Sequence, residues 1–275
     1  MKLCVDAGGT YFRYELFDGE TKVAQGCDSS IGVGIGFWLE KTLQHYPEVK
    51  KVGIGYAGQV HNGVILAAPN MTIDTKDIKH YFEKHFGITL FIQNDLECAV
   101  LAEAQYHQSS DICALYLGSG MGLGVVSGGK LLKGHSGASA EIGHIPYRKS
   151  PFVCGCGKDN CVELFASGTG LIKFKEYLNL DPTLCLQELR AQNSEIYTSF
   201  EDALMHAIGV GITLFNPEYF VLGGGIFQND AVLFEIVVQR FKEFAMPLSA
   251  KTLKIVPTHL HNAVLAGAKM LEENL

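Results

Sequence analysis

One histidine and three cysteines, His144, Cys154, Cys156 and Cys161, fall within eighteen residues and are bracketed by the carboxylates of Glu141 and Glu163. Cysteine and histidine are zinc ligands, and a closed four-ligand site is structural because no coordination position remains for a reacting water. The metal would hold a loop, and the loop would hold Glu141 and Glu163 as acceptors for hydroxyl groups. Cysteine also serves as a small buried hydrophobe, but Cys-Gly-Cys-Gly-Lys-Asp-Asn packs like neither helix nor strand. A disulfide reading is set aside because no secretory signal directs the chain to an oxidising compartment. Cys4, Cys98 and Cys113 lie inside apolar periodic segments and read as packing, while Cys27 and Cys185 carry no signal.

A second candidate is Asp95, which follows an apolar strand and opens a helix. Aspartate there could be an N-cap. The capping-box spacing suits Asn94 with Glu97 better, and a carboxylate at a strand's carboxyl end is well placed to take a proton from a hydroxyl nucleophile. Three glycine bends follow strands: Asp6-Ala-Gly8-Gly9-Thr10, Gly118-Ser119-Gly120 continuing to Gly124, and Gly223-Gly224-Gly225. Their backbone amides could approach phosphates, because glycine tolerates the positive φ and close contact such concavities need. The first bend adds Asp6 and Thr10 as magnesium and phosphate contacts. No G-x-x-x-x-G-K-[ST] loop is present, which excludes that phosphate-binding motif. Gly53-Ile-Gly55-Tyr-Ala-Gly58 matches G-x-G-x-x-G, but a turn-like Gln-Val-His-Asn-Gly follows where a dinucleotide fingerprint needs a helix. The remaining histidines, such as His45, His107 and His206, lack partners at informative spacing.

These residues need a scaffold of strands and helices. Leu3–Val5, a bend, and Tyr11–Phe17 up to Asp18-Gly19 read as a hairpin; Ala114–Leu117, a glycine bend through Gly124, Val125-Val126 and Ser127–Gly129 repeat that plan. Two copies of one unit suggest a duplicated, two-lobed architecture. Between and after them, helices are expected at about 36–46, 77–86, 96–107, 231–244 and 263–272, and strands at about 51–55, 88–93, 218–222 and 253–256. Alternation of this kind implies an α/β fold. The expected division is a smaller lobe, 1–107 joined by a C-terminal helix 261–275, and a larger lobe, 108–260. With 47% hydrophobic residues the 275-residue chain can fill two cores, and its net charge of −7 argues against a nucleic-acid partner. No apolar window reaches the length of a membrane span, so a cytoplasmic protein without membrane contact is expected.

Together these motifs resemble the ROK family of sugar kinases and sugar-responsive repressors, over essentially the whole chain. Asp6-Ala-Gly-Gly-Thr10 resembles D-x-G-G-T; Asn94-Asp95 with Ala99 and Ala102-Glu103 resembles N-D-A-N-x-x-A-x-A-E; Leu117 to Gly124 resembles L-G-T-G-x-G-x-G. Gly137 to His144 matches G-x-x-x-E-x-G-H, and Cys154 to Glu163 resembles C-G-C-G-x-x-G-C-x-E, the most specific match. The resemblance implies the actin-like, sugar-kinase fold of duplicated ribonuclease H-like halves, closing over sugar and ATP. It implies Asp95 as general base toward a sugar hydroxyl, and Asn70, Asn94, Glu141, His144 and Glu163 as sugar ligands beside it. Gly8, Gly9, Thr10, Gly118, Ser119, Gly120, Gly223, Gly224 and Gly225 would bind ATP, with Mg2+ near Asp6 and structural Zn2+ on His144, Cys154, Cys156 and Cys161. His144 would place one ring nitrogen on zinc and the other toward a sugar hydroxyl. Leu96 and Glu97 stand where the family usually has Ala and Asn, Asn160 replaces a glycine, Ser119 replaces threonine, and Tyr11 holds a position that is often lysine. None of these removes a catalytic or metal group.

The resemblance favours ATP-dependent phosphorylation of glucose at the 6-hydroxyl, in a homodimer. N-acetylmannosamine, N-acetylglucosamine or fructose are alternative substrates, and a catalytically idle sugar sensor is the non-kinase alternative. A repressor would carry a DNA-binding module ahead of the first phosphate strand, which here begins at residue 2.

Overall fold

A computed structural model describes residues 1–272 as two compact units: Met1–Gln108 with Lys130–Ser139 and the chain from Leu260 on, and Ser109–Gly129 with Ala140–His259. Residues 130–139 thus group with the first unit.

The first unit begins with β1 (Lys2–Ala7), β2 (Tyr11–Asp18) and β3 (Thr21–Ser29), followed by α1 (Ile35–His45), β4 (Lys51–Tyr56), β5 (Gln59–His61), β6 (Val64–Ala67), α2 (Ile78–Phe86), β7 (Thr89–Asn94) and α3 (Asp95–His107). Its main sheet has the order β3-β2-β1-β4-β7. The β1–β2 and β2–β3 pairs are antiparallel, whereas β1–β4 and β4–β7 are parallel. The sequence does not announce β3, because Thr-Lys-Val-Ala-Gln-Gly-Cys-Asp-Ser is mostly exposed and its side chains carry no apolar alternation. It is an edge strand, held by its ladder to β2 rather than by burial. Leu3, Val5, Phe12, Leu39, Ile54 and Phe82 are among the fully buried residues of this unit's core.

The second unit contains β8 (Ile112–Leu117), β9 (Met121–Ser127), α4 (Gly168–Tyr177), α5 (Leu186–Ala191), α6 (Glu195–Phe215), β11 (Tyr219–Gly223), α7 (Gly225–Asn229), α8 (Ala231–Arg240), α9 (Pro247–Ala250) and β12 (Lys254–Pro257), while β10 (Lys130–Leu131), after the Gly128-Gly129 turn, belongs to the residues grouped with the first unit. The strands β9-β8-β11-β12 repeat the hairpin-then-parallel topology of the first sheet. The second glycine bend is shorter than expected. Gly122 and Gly124 lie within β9, paired with Tyr116 and Ala114, so the bend is confined to Gly118–Gly120. The alternation of Met121, Leu123 and Val125, all buried, overrides the glycines' weak strand propensity. The helix expected over 231–244 ends at Arg240 in a short 3-10 turn. The amphipathic α6 buries Phe200, Leu204, Ile208 and Ile212 in this unit's core.

The chain ends with α10 (Ala263–Met270), which packs in the first unit. The helix anticipated over 261–275 is therefore shorter, and residues 273–275 lie outside the described residues. A Cβ on Gly53 would come within 2.1 Å of the Ala268 carbonyl oxygen, and one on Gly267 within 1.8 Å of that of Cys98. The G-x-G at Gly53 therefore gives α10 its close seat on β4. Among the described residues no helix is long and apolar enough to cross a membrane.

Candidate functional site

In the first unit, the parallel strands β1 and β7 both end in chemistry. Asp6 lies near the end of β1, and the turn Gly8-Gly9-Thr10 leads into β2; the Gly8 amide donates to the Tyr11 carbonyl at 3.0 Å, and Ser30 Oγ donates to the Gly8 carbonyl at 2.7 Å. A Cβ on Gly9 would sit 3.0 Å from the Asn70 carbonyl oxygen, so the Asn70 loop lies directly on this turn. The loop itself is pinned by Asp74, whose carboxylate accepts from the Gly36 amide at 3.0 Å and the Phe37 amide at 2.7 Å at the start of α1. Asp74 carried no recognisable signal in the sequence, because its partners lie 38 and 37 residues away.

Asn94 is the N-cap of α3. Its Oδ1 accepts from the Leu96 amide at 2.9 Å and the Glu97 amide at 3.3 Å, and its Nδ2 donates to the Gly58 carbonyl at 3.1 Å. Asp95 Oδ1 also accepts from the Leu96 amide at 2.9 Å, so this carboxylate has a structural bond that the capping-box pattern had not suggested. Asp95 is half-buried, and its carboxyl is pushed up from 3.8 to about 7, chiefly by burial. The Leu96 amide works against that rise, and the negative charge of Asp6 reinforces it. Asp6 is raised as well, by burial, against the Nδ2 donor of Asn262 at 2.9 Å and the guanidinium of Arg13 at 3.6 Å. Two carboxylates in electrostatic contact at strand ends, one with a near-neutral pKa, can divide the work of proton acceptance and cation binding.

In the second unit three glycine-bearing segments meet. The Gly118 carbonyl accepts from the Gly168 amide at 2.8 Å and the Ser119 carbonyl from the Thr169 amide at 3.0 Å, which docks the start of α4 on the Gly118–Gly120 bend. Ser167 caps α4, accepting from the Gly170 amide at 3.0 Å. Gly224 has φ +90, and a Cβ there would lie 2.4 Å from the Leu117 carbonyl oxygen. The Gly223–Gly225 corner is therefore placed against the same bend. Sequence reading missed Gly168-Thr-Gly170, although Ser followed by Gly-Thr-Gly is a legible helix-start pattern.

Beside this bend lies the cysteine loop. It is built by pairing between 145–150 and 159–162, with the Val162 amide on the Ile145 carbonyl at 3.1 Å, the Tyr147 amide on the Asn160 carbonyl at 2.8 Å and the Ser150 amide on the Asp159 carbonyl at 2.8 Å. His144 Nδ1 lies 3.5 Å from Cys154 Sγ, Cys156 Sγ lies 3.3 Å from Cys161 Sγ, and the four ligand atoms all fall within 4.8 Å of one another. Tetrahedral zinc with bonds of about 2.0–2.3 Å would space these atoms by about 3.5–3.8 Å. The nitrogen and three sulfurs therefore suit that ion in chemistry, and the 3.5 Å and 3.3 Å separations lie close to its spacing. Burial, countered by the Cys156 amide and aided by Glu163, raises the Cys154 thiol well above its usual range, and its Sγ donates to Glu163 Oε1 at 2.9 Å. Metal binding would displace that proton. On the other side of the imidazole, Nε2 lies 3.8 Å from Glu141 Oε2. Glu163 Oε2 is 3.3 Å from the position a Cβ would take on Gly120, so the loop carboxylate and the glycine bend are neighbours.

The sequence model of the ROK family matches residues 2–274. The chain belongs to the ROK family. Among its ROK relatives, a glucokinase of Thermotoga maritima is 28% identical and aligns with 98% of this chain and 97% of its own. The N-acetylgalactosamine kinase AgaK of a Shewanella species is 26% identical over 83% of each. The DNA-binding repressor Mlc of Escherichia coli is 25% identical over 77% of this chain but 57% of its own. Among solved structures, a ROK glucokinase from Streptomyces griseus in complex with glucose and AMPPNP superposes with a TM-score of 0.74 at 24% identity, covering 97% of each chain. That likeness establishes the actin-like α/β fold.

Proposed function

We propose that this ROK protein transfers the γ-phosphoryl group of ATP to a hexose, with glucose at the 6-hydroxyl as the favoured substrate and Asp95 as general base. The coarser statement, an ATP-dependent sugar kinase, rests on the family match and on the glucokinase and sugar-kinase relatives. The observation that carries the mechanism is the Asp95 carboxyl: it opens α3 at the end of β7, and its pKa of about 7 suits a group that must accept a hydroxyl proton near neutrality. Phosphoryl transfer is mostly positioning and charge neutralisation, and each unit supplies parts for that. In the first, Gly8, Gly9 and Thr10 offer amides and a hydroxyl to phosphate, Asp6 would hold Mg2+, and Asn70 and the remaining donor of Asn94 would take sugar hydroxyls. In the second, Gly118–Gly120 and Gly223–Gly225 would take the nucleotide, and Glu141, His144 and Glu163 the sugar.

Zinc, held by His144 Nδ1, Cys154, Cys156 and Cys161, would supply rigidity and no reactivity. With Nδ1 on the metal side, the His144 Nε2–H is directed toward Glu141 and is available to a hydroxyl acceptor. A free loop of glycines would lose these three sugar contacts to conformational entropy.

An N-acetylhexosamine is the second substrate reading, favoured by the AgaK relative. ADP release should be measured over a panel of glucose, mannose, fructose, N-acetylglucosamine, N-acetylgalactosamine and N-acetylmannosamine. Glucose with the largest kcat/KM is expected. A larger value for an N-acetylated sugar would replace the substrate assignment, and sugar binding without turnover would replace the kinase by a sensor.

A further inference from the structure

We infer that Asn262 is a positioning residue that fixes the Asp6 carboxylate for a divalent cation; the inference rests on the reading of Asp6 as the magnesium residue. Asn262 uses both ends of its amide. Its Oδ1 accepts from the Leu265 amide at 2.9 Å and caps α10, while its Nδ2 donates to Asp6 Oδ2 at 2.9 Å. The second donor, Arg13, stands opposite Asp6 in the β1–β2 ladder and reaches the same Oδ2 at 3.6 Å. Both contacts therefore fall on one oxygen, which sets the rotation of the carboxylate and directs Oδ1 to a cation.

The two donors differ in stiffness. The Arg13 side chain is 47% exposed and leans over the Tyr11 ring at 5.2 Å, so it can exchange partners with solvent or phosphate. Asn262 belongs to a helix whose Gly267 abuts the Cys98 backbone and whose Ala268 carbonyl abuts Gly53, and it transmits that rigidity to Asp6 over one hydrogen bond. Asn, Asp and Ser are all good N-caps. Asp cannot donate to Asp6, and Ser is too short to span from cap to carboxylate. Of these caps, asparagine is the one that can also donate to Asp6.

Two variants separate the roles, because Asn262→Ser and Asn262→Asp both keep the cap. The readouts are the Mn2+ affinity of the ADP-bound protein by electron paramagnetic resonance, the Mg2+ concentration for half-maximal turnover, the sugar KM and the thermal midpoint. Expected for Asn262→Ser are a near-wild-type midpoint and sugar KM, with Mn2+ affinity reduced about tenfold, the loss of one charge-assisted hydrogen bond. Unchanged Mn2+ affinity and Mg2+ requirement in a folded Asn262→Ser protein would overturn the inference. Should that variant not fold, Asn262→Asp decides: a change of more than about threefold in either cation readout supports the positioning role, and wild-type values overturn it. Absence of Mg2+-dependent turnover in the wild-type protein would instead remove the kinase reading, while the Mn2+ titrations would still report on Asp6.

Discussion

Replacing Asp95 by asparagine separates what the carboxylate does for chemistry from what it costs the fold. Its pKa rises from 3.8 to about 7 on folding, and each unit corresponds to about 1.4 kcal/mol, so the ceiling on the cost of holding it ionised is about 4 kcal/mol. Because the side chain is only half-buried, water screens part of this, and about 2 kcal/mol is the figure to test. The sign follows from linkage. Below pH 4 both folded and unfolded chains hold the proton, and the two proteins should be equally stable. Between about 4 and about 7 the unfolded chain releases it while the folded chain does not, so wild-type stability falls; above 7 the deficit is constant. Asparagine keeps the acceptor for the Leu96 amide and escapes this loss. Urea unfolding of both proteins at pH 4 and pH 8 should show the variant about 2 kcal/mol more stable at pH 8 only. Turnover should move the other way: the variant loses about 10²–10⁴-fold or more in kcat. Wild-type kcat/KM should fall tenfold per pH unit below about 7 as the base is protonated. A flat wild-type kcat/KM from pH 5.5 to 8, or equal stability of the two proteins at both pH values, would refute the reasoning.

Chelation, or Cys161→Ser, should release bound zinc, measurable by atomic emission, lower the thermal midpoint by several degrees and raise the sugar Kd at least about tenfold; wild-type sugar affinity in a folded, zinc-free sample would contradict the staple. Glu163→Gln keeps the shape but weakens a charged acceptor, so the sugar KM should rise about 10–100-fold while the ATP KM changes little, as steady-state kinetics would show. Gly224→Ala forces a Cβ against the Leu117 carbonyl at positive φ and should cost about 1–3 kcal/mol in urea titrations, with a raised ATP KM.

The convergence of His144, Cys154, Cys156 and Cys161 was legible, because Cys-x-Cys-x4-Cys with an upstream histidine serves few other physical purposes, and their candidate ligand atoms do lie within 4.8 Å of one another. The repeated strand, bend and strand of the two sheets was legible from alternation and from the Gly turns. Less legible were the partners of the site residues. Asn262 and Asp6 are 256 residues apart, and Asp74 acts on amides of α1. Local pattern has no means of registering such contacts. The glycines of Gly53-Ile-Gly55 show the converse: a spacing that matched the dinucleotide fingerprint but was set aside for the turn that follows it is explained by the close packing of α10.

The sequence by itself determined the kinds of chemistry available, since ligand types, a strand-end carboxylate and glycine corners are properties of residue identity and short spacing. Tertiary structure decided their state. Burial, reinforced by the charge of Asp6, raises the Asp95 carboxyl to about 7. The seating of Gly224 on the Leu117 backbone brings two distant bends together. Asn262 reaches Asp6 only because β1 and α10 are neighbours. Desolvation and through-space contact depend on which atoms surround a group, and that information exists only once the chain has folded.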